Sequence, residues 1–169
     1  MPDLATLDAV PAAAAETALL SCCGSRAWAR AMALRRPFRT REALLRAADD
    51  VWWSLGADDW LEAFRAHPRI GERRAERAQP GDGDGWSADE QSGTRSAEAA
   101  LLAELAEGNR AYEARFGHIY IVCATGRSAD ELLAVLRSRL GNDAETELRV
   151  AAEEQRRITR IRLEKLIGP

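Results

Sequence analysis

The chain has 169 residues, of which 46% are hydrophobic, enough to bury the core of one ordinary domain. Its formal charge is −3, with arginines spread among Asp and Glu at helical spacings, which disfavours broad nucleic-acid affinity. No apolar run approaches the ~20 residues that cross a bilayer.

The three cysteines, Cys22, Cys23 and Cys123, are odd in number and two are adjacent. That pattern argues against a disulfide framework and for a reducing cytoplasm. No Cys/His cluster has zinc spacing, so no metal is expected.

Helical signals follow one another along the chain. Pro11 to Cys23 reads as a helix capped by Gly24. Ser25 can cap the next, with Trp28, Met32 and Leu34 partly inward, ending at Pro37. Thr40 can cap a third, carrying Leu44, Leu45, Ala48, Val51, Trp52 and Leu55 and closed by Gly56. Asp58 or Asp59 then opens a helix whose Trp60, Leu61 and Phe64 face a core. Trp52, Trp53, Trp60 and Phe64 read as core or dimer contact rather than a stacking platform.

Pro68 drives His67 out of the helical region, so that helix ends just before it. One imidazole is left on a turn made tight by Pro68 and Gly71. A histidine there can be a helix terminator with a solvated ring. It also suits proton transfer, since its unperturbed pKa lies nearest neutrality. The negative end of the helix is expected to favour the protonated form.

Arg73 to Gly85 is polar and rich in Gly and Asp, and reads as a mobile loop over about residues 73–86. Asp82-x-Asp84-Gly85 lacks the other ligands of a calcium loop. Ser87-x-x-Glu90 is a capping box, and Gln91 follows it. The long helix it opens carries Leu101, Leu102, Leu105, Tyr112 and Phe116 and stops at Gly117. Gly108 and Asn109 weaken it locally.

Ile119-Tyr120-Ile121-Val122-Cys123-Ala124 is the one strongly β-type stretch. Two readings stay open. It is either a lone extended segment whose N–H and C=O groups need partners, some of them from a polar ligand, or the first turns of a core helix. Ser128-x-x-Glu131 is a second capping box, opening a helix with Leu132, Leu133, Val135, Leu136 and Leu140. Asn142 or Asp143 caps a last helix through Ile167, on which Leu148, Ala151, Ala152, Gln155, Ile158, Ile161 and Leu166 keep helical period. The sum is an all-α, single-domain bundle over residues 1–169, with about seven or eight helices.

Four segments, in order, resemble the 2-oxo-4-hydroxy-4-carboxy-5-ureidoimidazoline (OHCU) decarboxylases of uric acid breakdown. They are Phe64-x-x-His67-Pro68-Arg69-Ile70-Gly71-Glu72; Ser87-x-x-Glu90-Gln91; Asn109-x-x-Tyr112-x-x-x-Phe116-Gly117 running into Tyr120 to Ala124; and Glu147-Leu148 through Ile158 to Ile161-Arg162-Leu163-x-x-Leu166. The resemblance implies a cofactor-independent decarboxylase that forms (S)-allantoin, acting as a cytoplasmic homodimer.

It also implies roles. His67 and Glu90 would be catalytic. Pro68, Ser87 and Gln91, the backbone of Tyr120, Ile121, Val122, Cys123 and Ala124, and the Arg162 guanidinium would bind substrate. His118-Ile119 departs from the family's usual residues, and His118 reads as a surface or outer-layer residue. The competing class is a non-catalytic helical dimerisation module, in which His67, Glu90 and Arg162 do not converge.

Overall fold

The structure, a computed structural model, describes residues 3–72 and 88–169, and of residues 88–95 only the backbone. Among the described residues there are eight α-helices and no strand, so the all-α expectation holds. They are α1 (Leu4–Ala9), α2 (Ala12–Leu20), α3 (Arg26–Leu34), α4 (Arg41–Ser54), α5 (Ala57–Arg65), α6 (Ala88–Phe116), α7 (Ala129–Arg139) and α8 (Ala144–Ile167). Two compact units emerge: the chain up to His67 with the chain from Leu148 onward, and Pro68–Glu147. The expected loop at residues 73–86 lies outside the described residues.

In the first unit α3 packs against α2, α4 and α5. Its start is set by Ser25, whose hydroxyl accepts from Trp28 N at 3.2 Å. Thr40 does the same for α4, accepting from Ala43 N at 3.1 Å. Trp28, Met32, Leu44, Val51, Trp52 and Phe64 are buried at the spacing their helices dictate. Each buried indole also needs an acceptor. Trp28 Nε1 donates to Ala48 O at 3.1 Å, and Trp52 Nε1 to Ala152 O at 2.9 Å. Trp53 is the exception to the core reading, at 41% exposure, with its ring edge-on to Trp60.

Several boundaries differ from expectation. Helix α1 carries no strong sequence signal, because what docks it lies about thirty residues away. Arg36 Nη1 donates to the carbonyls of Leu7 and Val10, both at 2.7 Å. The Asp8 carboxylate accepts from Phe38 N and Arg39 N, both at 2.9 Å. Helix α3 ends at Leu34, short of Pro37, and Leu34 is exposed rather than inward. Gly56, not Asp58 or Asp59, precedes α5. The two acids occupy its first turn instead, where the positive end of the helix favours them.

In the second unit α6 packs along α7. Gly108, which looked like a weak point, is where the helices approach: a Cβ there would overlap Leu136. Asn109 is equally purposeful, its Nδ2 donating to Ile70 O at 2.9 Å. The Ser128–Glu131 capping box forms in both directions, at 3.2 and 3.0 Å. Asp143, not Asn142, caps α8 by accepting from Thr146 N at 2.8 Å.

Residues 119–124 are neither helix nor strand, so the reading as first turns of a core helix falls. Tyr120, Ile121 and Val122 are nonetheless buried. Such backbone is costly unless its polar groups are answered. Arg139 answers one, its Nη1 donating to Ile121 O at 2.7 Å. Its Nε donates to Glu147 Oε1 at 2.7 Å. The Tyr112 hydroxyl and Asn142 Nδ2 also donate to the Glu147 carboxylate. The guanidinium sits 4.9 Å from the Tyr120 ring centre.

Removing one member of such a buried pair leaves an uncompensated charge, typically about 3–5 kcal/mol destabilising. Arg139→Met is expected to lose that much in denaturant unfolding. A shift under about 1 kcal/mol, the scale of an exposed pair, would show that the network carries no such weight.

Candidate active site

Helix α5 presents the first catalytic candidate. It ends at Arg65 with Ala66 as C-cap, and His67 N donates to Phe64 O at 3.1 Å. Gly24 allows the end of α5 to come close, since a Cβ there would lie 2.5 Å from Ala66 Cβ. The His67 ring therefore leaves the helix at a fixed place on the first unit.

Helix α8 supplies what the ring meets. Gln155, Thr159 and Arg162 fall at i, i+4 and i+7, on one face. Gln155 is fully buried, and its Oε1 lies 2.6 Å from His67 Nε2. Its Nε2 donates to Thr159 Oγ1 at 3.1 Å. The Arg162 guanidinium is half-buried and makes no hydrogen bond or ion pair with any described residue. A cation so placed, with no anionic partner among the described residues, is suited to hold a carboxylate or carbonyl oxygens by paired donors.

Burial pushes the His67 pKa down from 6.5; the Gln155 hydrogen bond works the other way, and the positive charge of Arg162 adds to the lowering. Desolvation thus works against the charged ring that the helix end was expected to favour. The imidazole is neutral at pH 7 and able to accept a proton. Cys22 and Cys23 face the same charge from Arg162, yet burial raises both thiols, Cys23 to about 11. They stay protonated and are poor nucleophiles.

On the second unit, the turn after His67 is tight as expected, with Gly71 at φ +95°. It is held by Asn109 at Ile70 O and by Arg69, which forks onto Glu113 at 2.8–3.2 Å. The carbonyl of Ile121 is taken by Arg139, and the Tyr120 hydroxyl donates to Leu132 O at 3.0 Å. Val122 is buried and Cys123 partly so, while Ala124 is exposed. His118 belongs to an aromatic group, its ring centre 5.5 Å from that of Tyr112 and stacked on Phe116.

His67 and Arg162 therefore share the first unit, while Pro68 and residues 120–124 belong to the second. Ser87 and the side chains of Glu90 and Gln91 lie outside the described residues. Sequence reading treated Gln155 as one more residue of helical period and passed over Thr159 and Arg139. A signal was present: Gln155 and Thr159 are polar residues on the inward stripe of α8. Among the described residues no cluster of His, Cys, Asp and Glu could hold a metal, and no helix is long and apolar enough to cross a membrane.

A partly buried histidine held neutral ties stability to pH. With the folded pKa below the unfolded value of about 6.5, the unfolded chain takes up the proton first. Stability is expected to fall as pH drops below about 6.5 and to level off beneath the folded pKa. Urea titrations from pH 7.5 to 5 should show a smaller slope for His67→Asn than for wild type. Equal slopes would mean that the ring is not held neutral.

The family model for OHCU decarboxylase matches residues 8–164. The uric acid degradation bifunctional protein TTL of Arabidopsis thaliana is 38% identical over 87% of this chain, which spans 45% of that protein's length. The 2-oxo-4-hydroxy-4-carboxy-5-ureidoimidazoline decarboxylase of Amia calva is 29% identical over 78% of this chain and 75% of its own. A crystal structure of OHCU decarboxylase in the presence of (S)-allantoin is similar with a TM-score of 0.71 and 37% identity, over 89% of this chain and 96% of the other. With its helices and nearly its whole length matched, the chain belongs to the OHCU decarboxylase family.

Proposed function

We propose that this chain converts 2-oxo-4-hydroxy-4-carboxy-5-ureidoimidazoline to (S)-allantoin and CO₂. The observation that carries the reading is the pairing of a neutral, partly buried imidazole with a guanidinium that has no anionic partner among the described residues. Family membership names the substrate; the pair supplies the two functions its chemistry asks for.

The substrate carboxylate sits beside a ring C=N. When the C–C bond breaks, CO₂ leaves and the electron pair flows into that C=N, whose nitrogen takes a proton from water. The substrate is its own electron sink, so the step needs no metal or organic cofactor. The product of that step carries an enol-type hydroxyl. Moving its proton from oxygen to the adjacent ring carbon gives the carbonyl, and delivery from one face sets the (S) configuration.

His67 is assigned that transfer, as general base toward the hydroxyl and general acid toward the carbon. Arg162 holds substrate oxygens and orients the carboxylate. Glu90 is assigned as the second catalytic group, fixing the charge or position of the reacting species. Ser87, Gln91, Pro68 and the main chain of Tyr120 to Ala124 complete the contacts by family resemblance. The same reading makes the protein a cytoplasmic homodimer; the exposed side chains of Leu34 and Trp53 offer apolar surface for a second copy.

General acid–base groups contribute about 10²–10⁴-fold in rate. His67→Asn is expected to lower kcat by at least roughly that factor while melting near wild type. Allantoin formation followed by circular dichroism reads this out. Near-normal turnover would leave a non-catalytic dimerisation module as the better account. Glu90→Gln keeps a capping box, so a purely structural Glu90 predicts unchanged activity and melting. A catalytic Glu90 predicts a loss of comparable size at unchanged melting temperature.

A further inference from the structure

The hydrogen bond between His67 and Gln155 has a chemical consequence. Imidazole has two nitrogens, and in its neutral form one donates and the other accepts. Which is which is set by the bond that one of them makes. Here the partner is a primary amide, whose own orientation is set from behind. Gln155 Nε2 donates to Thr159 Oγ1 at 3.1 Å, which turns Oε1 toward His67 Nε2 at 2.6 Å. Gln155 and Thr159 are both buried, Gln155 completely, so water does not compete for the amide. An amide oxygen can only accept, so the proton resides on Nε2. Nδ1 makes no hydrogen bond with any described residue.

We propose that Gln155, oriented by Thr159, is the positioning residue that fixes neutral His67 as the Nε2–H tautomer, so that Nδ1 is the nitrogen that exchanges protons with the substrate. This rests on the acid–base role assigned to His67 above. Nδ1 takes the proton from the hydroxyl oxygen as its O–H bond breaks, and the imidazolium so formed is doubly protonated. Nδ1 then returns that proton to the ring carbon as the C–H bond forms. Nε2–H stays on the Gln155 oxygen throughout, and the imidazole ends as it began. One nitrogen on one side of the ring performs both transfers, which accounts for delivery to a single face.

The chain has only two histidines, His67 and His118, so their ring nitrogens can be separated by isotope labelling. With ¹⁵N-histidine protein above the His67 pKa, long-range proton–nitrogen correlation should give a pyrrole-type Nε2 and a pyridine-type Nδ1 for His67. The His67→Asn variant identifies the signals. Gln155→Leu is expected to shift them toward a tautomer mixture and to lower kcat roughly ten- to hundredfold, the range carried by outer partners of ligating histidines. KM should change far less.

Gln155→Glu keeps an acceptor and should retain the wild-type tautomer, so it remains informative if Gln155→Leu does not fold. A wild-type Nδ1–H tautomer would overturn the proposal. So would wild-type tautomer and rate in Gln155→Leu, or a changed tautomer in Gln155→Glu. Activity surviving in His67→Asn would instead remove the acid–base reading on which this one stands. An inactive His67→Asn beside a fully active Gln155→Leu would remove the Gln155 role alone.

Discussion

The buried pair of Arg139 and Glu147 is the constraint on which the second unit depends. Residues 119–124 run through apolar surroundings with no helical or sheet ladder to absorb their backbone. One guanidinium answers the Ile121 carbonyl while remaining charged. Burial works against its charge, but the hydrogen bonds and negative charge of Glu147 prevail and raise its pKa. Tyr112 and Asn142 fill the remaining acceptor sites of the carboxylate. An irregular wall thereby has its Ile121 carbonyl satisfied from a buried side chain instead of from a helical ladder.

The first unit handles its polar groups differently. Among the described residues, His67 meets a neutral amide, itself bonded to a hydroxyl, and feels the charge of one cation. A carboxylate beside the ring would raise its proton affinity; an amide oxygen orients it with a weaker pull. Together with burial this keeps the imidazole a base near neutrality, though it sits at the negative end of α5. The nearby thiols are silenced by the same desolvation. Low polarity thus serves two ends: one group is readied for proton transfer and two others are kept out of it.

Helix starts were legible because capping is local. Ser25, Thr40, Ser128 and Asp143 each act on a backbone N–H three residues ahead, and all four form. The exit of His67 from α5 was legible because Pro68 restricts its immediate neighbour. Helix α1 was not, since Arg36 and Asp8 reach across about thirty residues to dock it. Gly108 shows the same limit: its low propensity is visible in sequence, but Leu136, the reason for it, is visible only once α7 has packed.

The amino-acid order alone determined what depends on neighbours within about one helical turn: helical class, most caps, the turn after α5, and the family motifs that pointed to His67 and Arg162. Tertiary structure decided the rest. It chose an extended path for residues 119–124, the burial that keeps His67 neutral against its helix dipole, and the selection of Gln155 as that ring's partner. These outcomes turn on desolvation and on hydrogen bonds between residues far apart in the chain, and neither quantity exists until the chain has closed around them.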